Sequence, residues 1–282
     1  MNRIKIAPEY SENYLETDRP QPLSDNTIES LIEELLPHKW GYETSDNIYT
    51  QFKSEVQNWL FNSKLNSITG FDIFDRLDIC MGCTQFIDTV YMNGPAQFIQ
   101  GDYRYHERLG NSYQTPGNLL PSVPLIIAMP FPSTGDVHHQ MNDILNECLD
   151  KNIKVHIDGA WISCCRDIKF DLNHDAISSI GISLSKGLGL GWNRIGLRWT
   201  RQSGPDAVTI MNDFRMNNRA LTMIGLHFVR QLPPDYLWNK YGSIYYKICD
   251  DFNLTPTNSI YLALKGTQPV GLSPLIRYVA EK

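Results

Sequence analysis

The sequence predicts a three-layer α/β/α fold with a largely parallel central sheet, followed by an abbreviated α+β C-terminal region. Three observations predict it. Short apolar runs of strand length recur at 77–81, 97–100, 125–129, 154–157, 181–184 and 195–199. Helical patterns separate several of them, and strands alternating with helices build a parallel sheet covered on both faces. The 282 residues are 42% hydrophobic, enough to bury the core of one large domain or two modest ones.

Each element has a local reason. Residues 1–23 are polar, contain several prolines and read as an extended arm. Asn26-Thr-Ile-Glu29 has the spacing of a capping box. Ile28, Leu31, Ile32 and Leu35 then follow at helical spacing until Pro37. A second helical pattern runs over 50–62 through Phe52, Val56, Trp59 and Leu60. Helices are expected at 83–92, after Gly82, and at 136–151, where Val137, Met141, Leu145, Cys148 and Leu149 share a face. Beyond Gly204 the patterns give helices within 205–231 and 235–252, then strands at 259–264 and 275–279. The expected organisation is an N-terminal arm and helix (1–40), a large domain (41–204) and a small C-terminal domain (205–282).

Composition narrows the function classes. A formal net charge of −6 shows no basic excess for nucleic acid. No run approaches the length of a membrane span, and the N-terminus has no apolar signal core. Six cysteines follow no framework spacing, so a reducing cytoplasm is expected. Cys80-Met-Gly-Cys83 lacks the second pair that a zinc site needs, and no metal is expected.

Ligands of such sheets bind beyond the carboxyl ends of the strands. Gly82-Cys83-Thr84 lies between an apolar run and a helix, where backbone N–H groups, the helix dipole and a hydroxyl make an anion site or an ordinary turn. Asp158 ends an apolar run, as a helix cap or as a buried carboxylate awaiting a cation. Lys186 ends another, is followed by three alternating glycines, and has Arg194 eight residues on. A partly desolvated lysine at a strand end is a candidate Schiff-base nucleophile. Ser183 and Arg194 add phosphate donors. The segment is no P-loop, because the lysine precedes the glycines. Tyr103, in Gly101-Asp-Tyr103-Arg-Tyr105-His106, offers a flat face for stacking, or belongs to a surface aromatic cluster.

In this chain order the sequence resembles the fold-type I pyridoxal-phosphate enzymes of the aminotransferase-like superfamily, from about residue 42 to 199 and more weakly to the end. The resemblance implies pyridoxal 5'-phosphate as cofactor, held by Lys186 as an imine. It implies that Asp158 pairs with the protonated pyridine nitrogen and that Tyr103 stacks on the ring. Thr84, Ser183 and Arg194, with the backbone of Gly82 and Cys83, match the phosphate donors. Tyr42 matches, more loosely, a tyrosine that reaches the phosphate across a homodimer interface. Arg277, placed in a late strand, matches the arginine for the substrate carboxylate. The implied activity is aminotransfer between an amino acid and a keto acid, in a specialised biosynthetic pathway. The same electron sink also serves elimination, decarboxylation, cyclisation or oxidation, and a non-catalytic scaffold keeps the fold without needing the lysine.

Three departures from the pattern stand out. Trp161 occupies the place of a tyrosine that donates to the cofactor's ring oxygen, and an indole N–H donates from elsewhere. The usual asparagine is absent near Met129-Pro-Phe-Pro. Only 96 residues follow Lys186, so substrate is expected to be bound differently or with help from a dimer partner. His106 is set aside, a hydrogen bond from it to Asp158 being the less favoured reading; His156 is expected to be a satisfied core or sheet-face histidine, and Arg198 a solvated charge rather than a second anion ligand. His138 and His139 are adjacent on a helix and share no face for a metal.

Overall fold

The structure is a computed structural model, and it describes residues 23, 25–35, 47–109, 113–202 and 204–280. Helices α1 (Asn26–Leu35) and α2 (Ile48–Phe61) precede strands β1 (Ser67–Thr69) and β2 (Arg76–Cys80). Then come α3 (Gly82–Met92), β3 (Gln97–Ile99), α4 (Tyr105–Arg108), β4 (Tyr113–Gln114) and β5 (Leu125–Ala128). Next are α5 (Met141–Asp150), β6 (Val155–Gly159), β7 (Lys169–Asp171), β8 (Ile177–Ser183), α6 (Leu184–Gly187) and β9 (Gly196–Thr200). The C-terminal part holds α7 (Ala207–Asp213), α8 (Arg219–Gln231), α9 (Tyr236–Phe252), β10 (Thr255–Pro256), β11 (Leu262–Lys265), β12 (Gln268–Gly271) and α10 (Ser273–Ala280).

Seven strands form the central sheet in the order β2-β9-β8-β6-β5-β3-β4. The pairs from β8 to β4 are parallel, and β9 runs antiparallel to both β2 and β8. Both faces are covered. Leu125, Ile127, Val155 and Ile157 join the larger core, which includes residues of α2, α5, α8 and α9. Phe98 and Ile126 project the other way, against Phe86, Ile87 and Val90 of α3. Burial on both faces is why these strands read as unbroken apolar runs. Gly181 of β8 lies beneath Phe86, and a Cβ there would stand 2.5 Å from the ring's Cδ1. That bare backbone lets α3 settle on the sheet. The three-layer fold predicted from sequence is the one observed.

Several local expectations are corrected. The cap of α1 is Asp25, not Asn26: its Oδ1 accepts the Ile28 N–H at 2.9 Å. Its Oδ2 accepts from Tyr236, Lys240 and Tyr241, so one carboxylate ties α1 to α9. The helix expected at 136–151 begins at Met141. Asp136 is spent on a turn instead, with Oδ1 accepting the Val137 N–H and its carbonyl accepting the Phe131 N–H. The strand expected at 275–279 is part of α10. Leu275 and Ile276 are adjacent and both buried, which a one-face-buried strand cannot arrange. Pro274 sits in the first turn, where its missing N–H costs nothing. Arg198 is buried, not solvated. Its Nη2 reaches Asp78 at 2.8 Å and its Nη1 reaches Asp206 at 2.6 Å. A buried guanidinium persists only with such partners, and this one joins β2, β9 and the start of α7.

Candidate active site

The site forms where β8 ends. Ser183 caps α6, its Oγ accepting the Ser185 N–H at 3.1 Å. That bond uses an acceptor position and leaves the hydroxyl proton available. Lys186 follows three residues later and is half-buried. Burial holds its ammonium below the usual lysine range, and Arg194 adds to the effect, while Cys164 and Asp158 oppose it. The Lys186 carbonyl accepts from the buried Tyr261 hydroxyl, which fastens the α6 turn to the C-terminal part.

Beside this turn α3 begins at Gly82. The residue has φ +65°, a conformation that favours glycine. A Cβ built on it would meet Ser183 Oγ at 3.1 Å, Ser185 Oγ at 3.6 Å and Arg194 Nε at 3.7 Å. Three side-chain donors therefore ring the first turn of α3. Arg194 also donates to Thr84 Oγ1 at 2.5 Å. Ser185 Oγ is buried and has no hydrogen-bond partner among the described residues. Donors gathered at a helix N-terminus, one of them unsatisfied, suit an oxyanion.

Asp158 ends β6, paired in register with Gly181 of β8 and Ala128 of β5. It is buried, and desolvation raises its pKa. The Cys83 thiol, the Ala160 N–H, Lys186 and Arg194 pull the other way, so all four act on one carboxylate. Residues from 82 to 194 thus meet at one spot: Gly82, Cys83, Thr84, Asp158, Ser183, Lys186 and Arg194.

Tyr103 arrives through a residue that local pattern did not single out. Asp102 is buried, with Oδ1 accepting the Tyr103 N–H at 2.6 Å and Oδ2 accepting the Ala128 N–H at 3.0 Å. It thereby ties the tyrosine to the end of β5, next to Asp158. Burial pushes Asp102 up to about 7, with the two N–H bonds opposing and Asp158 adding. His106 does not buttress Asp158. Its Nδ1 lies 3.1 Å from the Tyr91 hydroxyl and its Nε2 has no partner among the described residues. Desolvation holds it neutral, at about 4. His156, as expected for a sheet-face residue, pairs with Ser179 at 2.7 Å.

Trp161 is half-buried two residues past β6, its ring edge-on to Tyr261 at 6.1 Å. Arg277 lies on α10, half-exposed and 3.4 Å from Glu29. Tyr42 lies outside the described residues. Sequence reasoning passed over Ser185, the Cys83 thiol and Asp102. The signal for Ser185 was its place in Ser183-Leu-Ser-Lys186. That for Asp102 was its adjacency to Tyr103.

Asp102 sets a pH test. From about pH 4 to 7 the folded chain keeps a proton that the unfolded chain releases. Its stabilising contribution is therefore complete at low pH and declines as pH rises, by up to about 1.4 kcal/mol per unit. Asp102→Asn removes this slope. In urea titrations the variant should gain stability relative to wild type as pH goes from 4 to 7. A difference that stays flat contradicts the buried titration.

The likeness of this chain to solved structures is one of fold. It superposes on an alanine aminotransferase from Pyrococcus furiosus with TM-score 0.63 and 11% identity, over 88% of this chain and 73% of that one. A PLP-bound C-S lyase from Staphylococcus hominis gives 0.59 and 12%, over 91% and 77%. A tyrosine aminotransferase from Leishmania infantum gives 0.58 and 12%, over 94% and 90%. No protein-family model and no curated protein matches the sequence.

Proposed function

We propose that this chain, which has the aminotransferase-like fold of the fold-type I pyridoxal-phosphate enzymes, is a pyridoxal-phosphate-dependent aminotransferase acting on an amino acid and a keto acid. One observation carries the reading: a desolvated strand-end lysine, a buried strand-end carboxylate and a ring of oxyanion donors share one cradle. The unsatisfied Ser185 hydroxyl, and the side-chain donors that crowd the place a Cβ of Gly82 would take, fit a phosphate group.

When bound, the cofactor supplies an electron sink for a carbanion at the substrate's α-carbon. The chain's residues do the rest. Thr84, Ser183, Ser185 and Arg194, with the N–H groups of Gly82 and Cys83, would anchor the phosphate. Asp158 would keep a proton on the pyridine nitrogen. Tyr103 would cover one ring face, and Trp161 would stand near the ring oxygen. Lys186 would hold the cofactor covalently and then move the α-proton. A lysine whose pKa is lowered by burial carries a neutral Nζ more readily, as a base requires. Arg277 and Tyr42 remain part of the proposal, for the substrate carboxylate and the partner subunit's phosphate. So does the division into 1–40, 41–204 and 205–282.

The proposal includes a cytoplasmic homodimer. Met81, Trp192, Ile210, Phe214 and Met216 are exposed apolar side chains, from segments beside the cradle and from the α7 region. Trp192, 98% exposed, lies two residues before Arg194. A second copy covering these groups would bury the cradle's open side. The six cysteines are free and buried, which suits a reducing compartment. Among the described residues no helix is long and apolar enough to cross a membrane. The changed surroundings of the ring oxygen, at Trp161 and near Pro130, favour a specialised biosynthetic substrate.

The C-S lyase likeness favours elimination as a second reading. Absorbance of the pyridoxal-phosphate-loaded protein, recorded with a panel of amino acids, separates the two. Conversion of the cofactor to its amine form, with release of a keto acid, supports aminotransfer. Release of thiol and ammonia from a cysteine-derived amino acid supports the lyase. A sedimentation profile of monomers at working concentration contradicts the dimer.

A further inference from the structure

We propose that Tyr261 is a positioning residue for Lys186: its hydroxyl clamps the lysine's own carbonyl and so sets where the amine stands in the cradle. The inference rests on the reading of Lys186 as the base of the site. Tyr261 lies 75 residues further along the chain, directly before β11, and is fully buried. The segment before it is pinned to the turn that follows β6. There the Arg166 N–H donates to the Asn258 carbonyl at 2.9 Å, and the Ile260 N–H donates to the Cys164 carbonyl at 3.0 Å. The Leu272 N–H then donates to the Tyr261 carbonyl at 2.7 Å. Backbone bonds on both sides fix the root of the ring, and the ring stands edge-on to Trp161.

The hydroxyl meets a need of the lysine turn. α6 has four residues and is closed by the Leu188 N–H, which donates to the Leu184 carbonyl at 3.1 Å. The last carbonyls of a helix have no partner within it. That of Lys186 is one of these, and the Tyr261 hydroxyl donates to it. The same phenol oxygen accepts the Leu23 N–H at 3.3 Å. One side chain thus joins the lysine turn to the C-terminal part and to the segment before α1. Close approaches wall the turn elsewhere. A Cβ on Gly189 would stand 2.7 Å from the Leu23 carbonyl oxygen, and one on Gly187 would strike the Ser163 side chain. The Tyr261 bond acts on the Lys186 peptide itself.

A lysine amine rides on a flexible four-carbon stem, so the peptide it springs from decides what it can reach. The charged and titratable groups that act on Lys186 come from separate elements: Asp158 at the end of β6, Cys164 in the turn after it, and Arg194 before β9. Burial is the largest influence on the amine, and it holds the ammonium below the usual lysine range. A turn released from Tyr261 admits water to the amine, which returns it toward that range.

Competitive acetylation of the full chain with trace acetic anhydride tests this, read across pH by mass spectrometry of the Lys186 peptide. It needs no pyridoxal phosphate. Tyr261→Phe keeps the ring and loses the hydroxyl. We expect its Lys186 labelling midpoint to rise by about one pH unit, which is a roughly tenfold fall in labelling at neutral pH. Tyr245→Phe is the control. Its hydroxyl accepts the Thr257 N–H at 2.7 Å and donates to the Leu262 carbonyl at 2.9 Å, in the same C-terminal part. Losing it should leave the Lys186 midpoint in place. A midpoint unmoved by Tyr261→Phe, or moved equally by Tyr245→Phe, overturns the proposal. Tyr261→3-fluorotyrosine keeps the hydroxyl and reports even if Tyr261→Phe fails to fold. Its fluorine resonance should shift when the chain is acetylated and stay still when the same chain carrying Lys186→Ala is acetylated. A resonance indifferent to Lys186 also overturns the proposal. The cofactor reading fails separately, by absence of the lysine-bound absorbance band from the loaded chain.

Discussion

If the chain works as proposed, Lys186→Ala should abolish the absorbance band of a lysine-bound cofactor and lower turnover by roughly 10²–10⁴-fold, the range a positioned proton-transfer group contributes. The reason lies in where the amine sits. Nζ is partly desolvated and feels the charges of Asp158 and Arg194. The variant should fold, because an amine in a desolvating site stabilises little that alanine would forfeit. Lys186→Arg makes the same point differently: a guanidinium stays protonated and cannot serve as the base. Circular dichroism should report an intact fold for both variants. A retained band or retained turnover in either one refutes the assignment of Lys186.

Gly181→Ala should cost about 1–3 kcal/mol of stability, the usual penalty for overpacking a close-packed core. Its Cβ would stand 2.5 Å from Phe86 Cδ1, inside the contact that seats α3 on β8. The ring must move, and α3 moves with it. Because α3 begins at Gly82, the same change should weaken binding of pyridoxal phosphate about tenfold or more, well away from the altered residue. Phe86→Ala in the same chain should cost less than it does alone, since it removes the Cδ1 and Cγ atoms that would stand 2.5 and 2.6 Å from the new Cβ. Denaturant midpoints and cofactor titrations on the two single variants and the double variant measure this coupling. Independent, additive losses would show that Gly181 and Phe86 do not meet as described.

These two expectations differ in how far they were visible before folding. Lys186 and Asp158 stand out in the linear chain because each lies within two residues of the end of an apolar run. Such runs locate buried strands by composition alone, and ligands gather at their carboxyl ends. The need for glycine at 181 has no local sign. It arises because Phe86, far off in sequence, comes to rest on it.

The same division runs through the molecule. The apolar runs, the helix after Gly82 and the order of strand-end groups were legible, because backbone periodicity is a property of neighbours in sequence. The window 275–279 misled because five residues do not distinguish a strand from a helix when Leu275 and Ile276 both face the core. Arg198 looked like a solvated charge, because its partners Asp78 and Asp206 are joined to it only by folding. Cys83 against Asp158, Asp102 beneath Tyr103 and the unsatisfied Ser185 hydroxyl were likewise hidden. The sequence by itself determined the fold class and which residue types end the strands, since these follow from local pattern. Tertiary structure alone decided which groups lose their water and which charges face them, because desolvation and pairing are set by distant segments brought into contact.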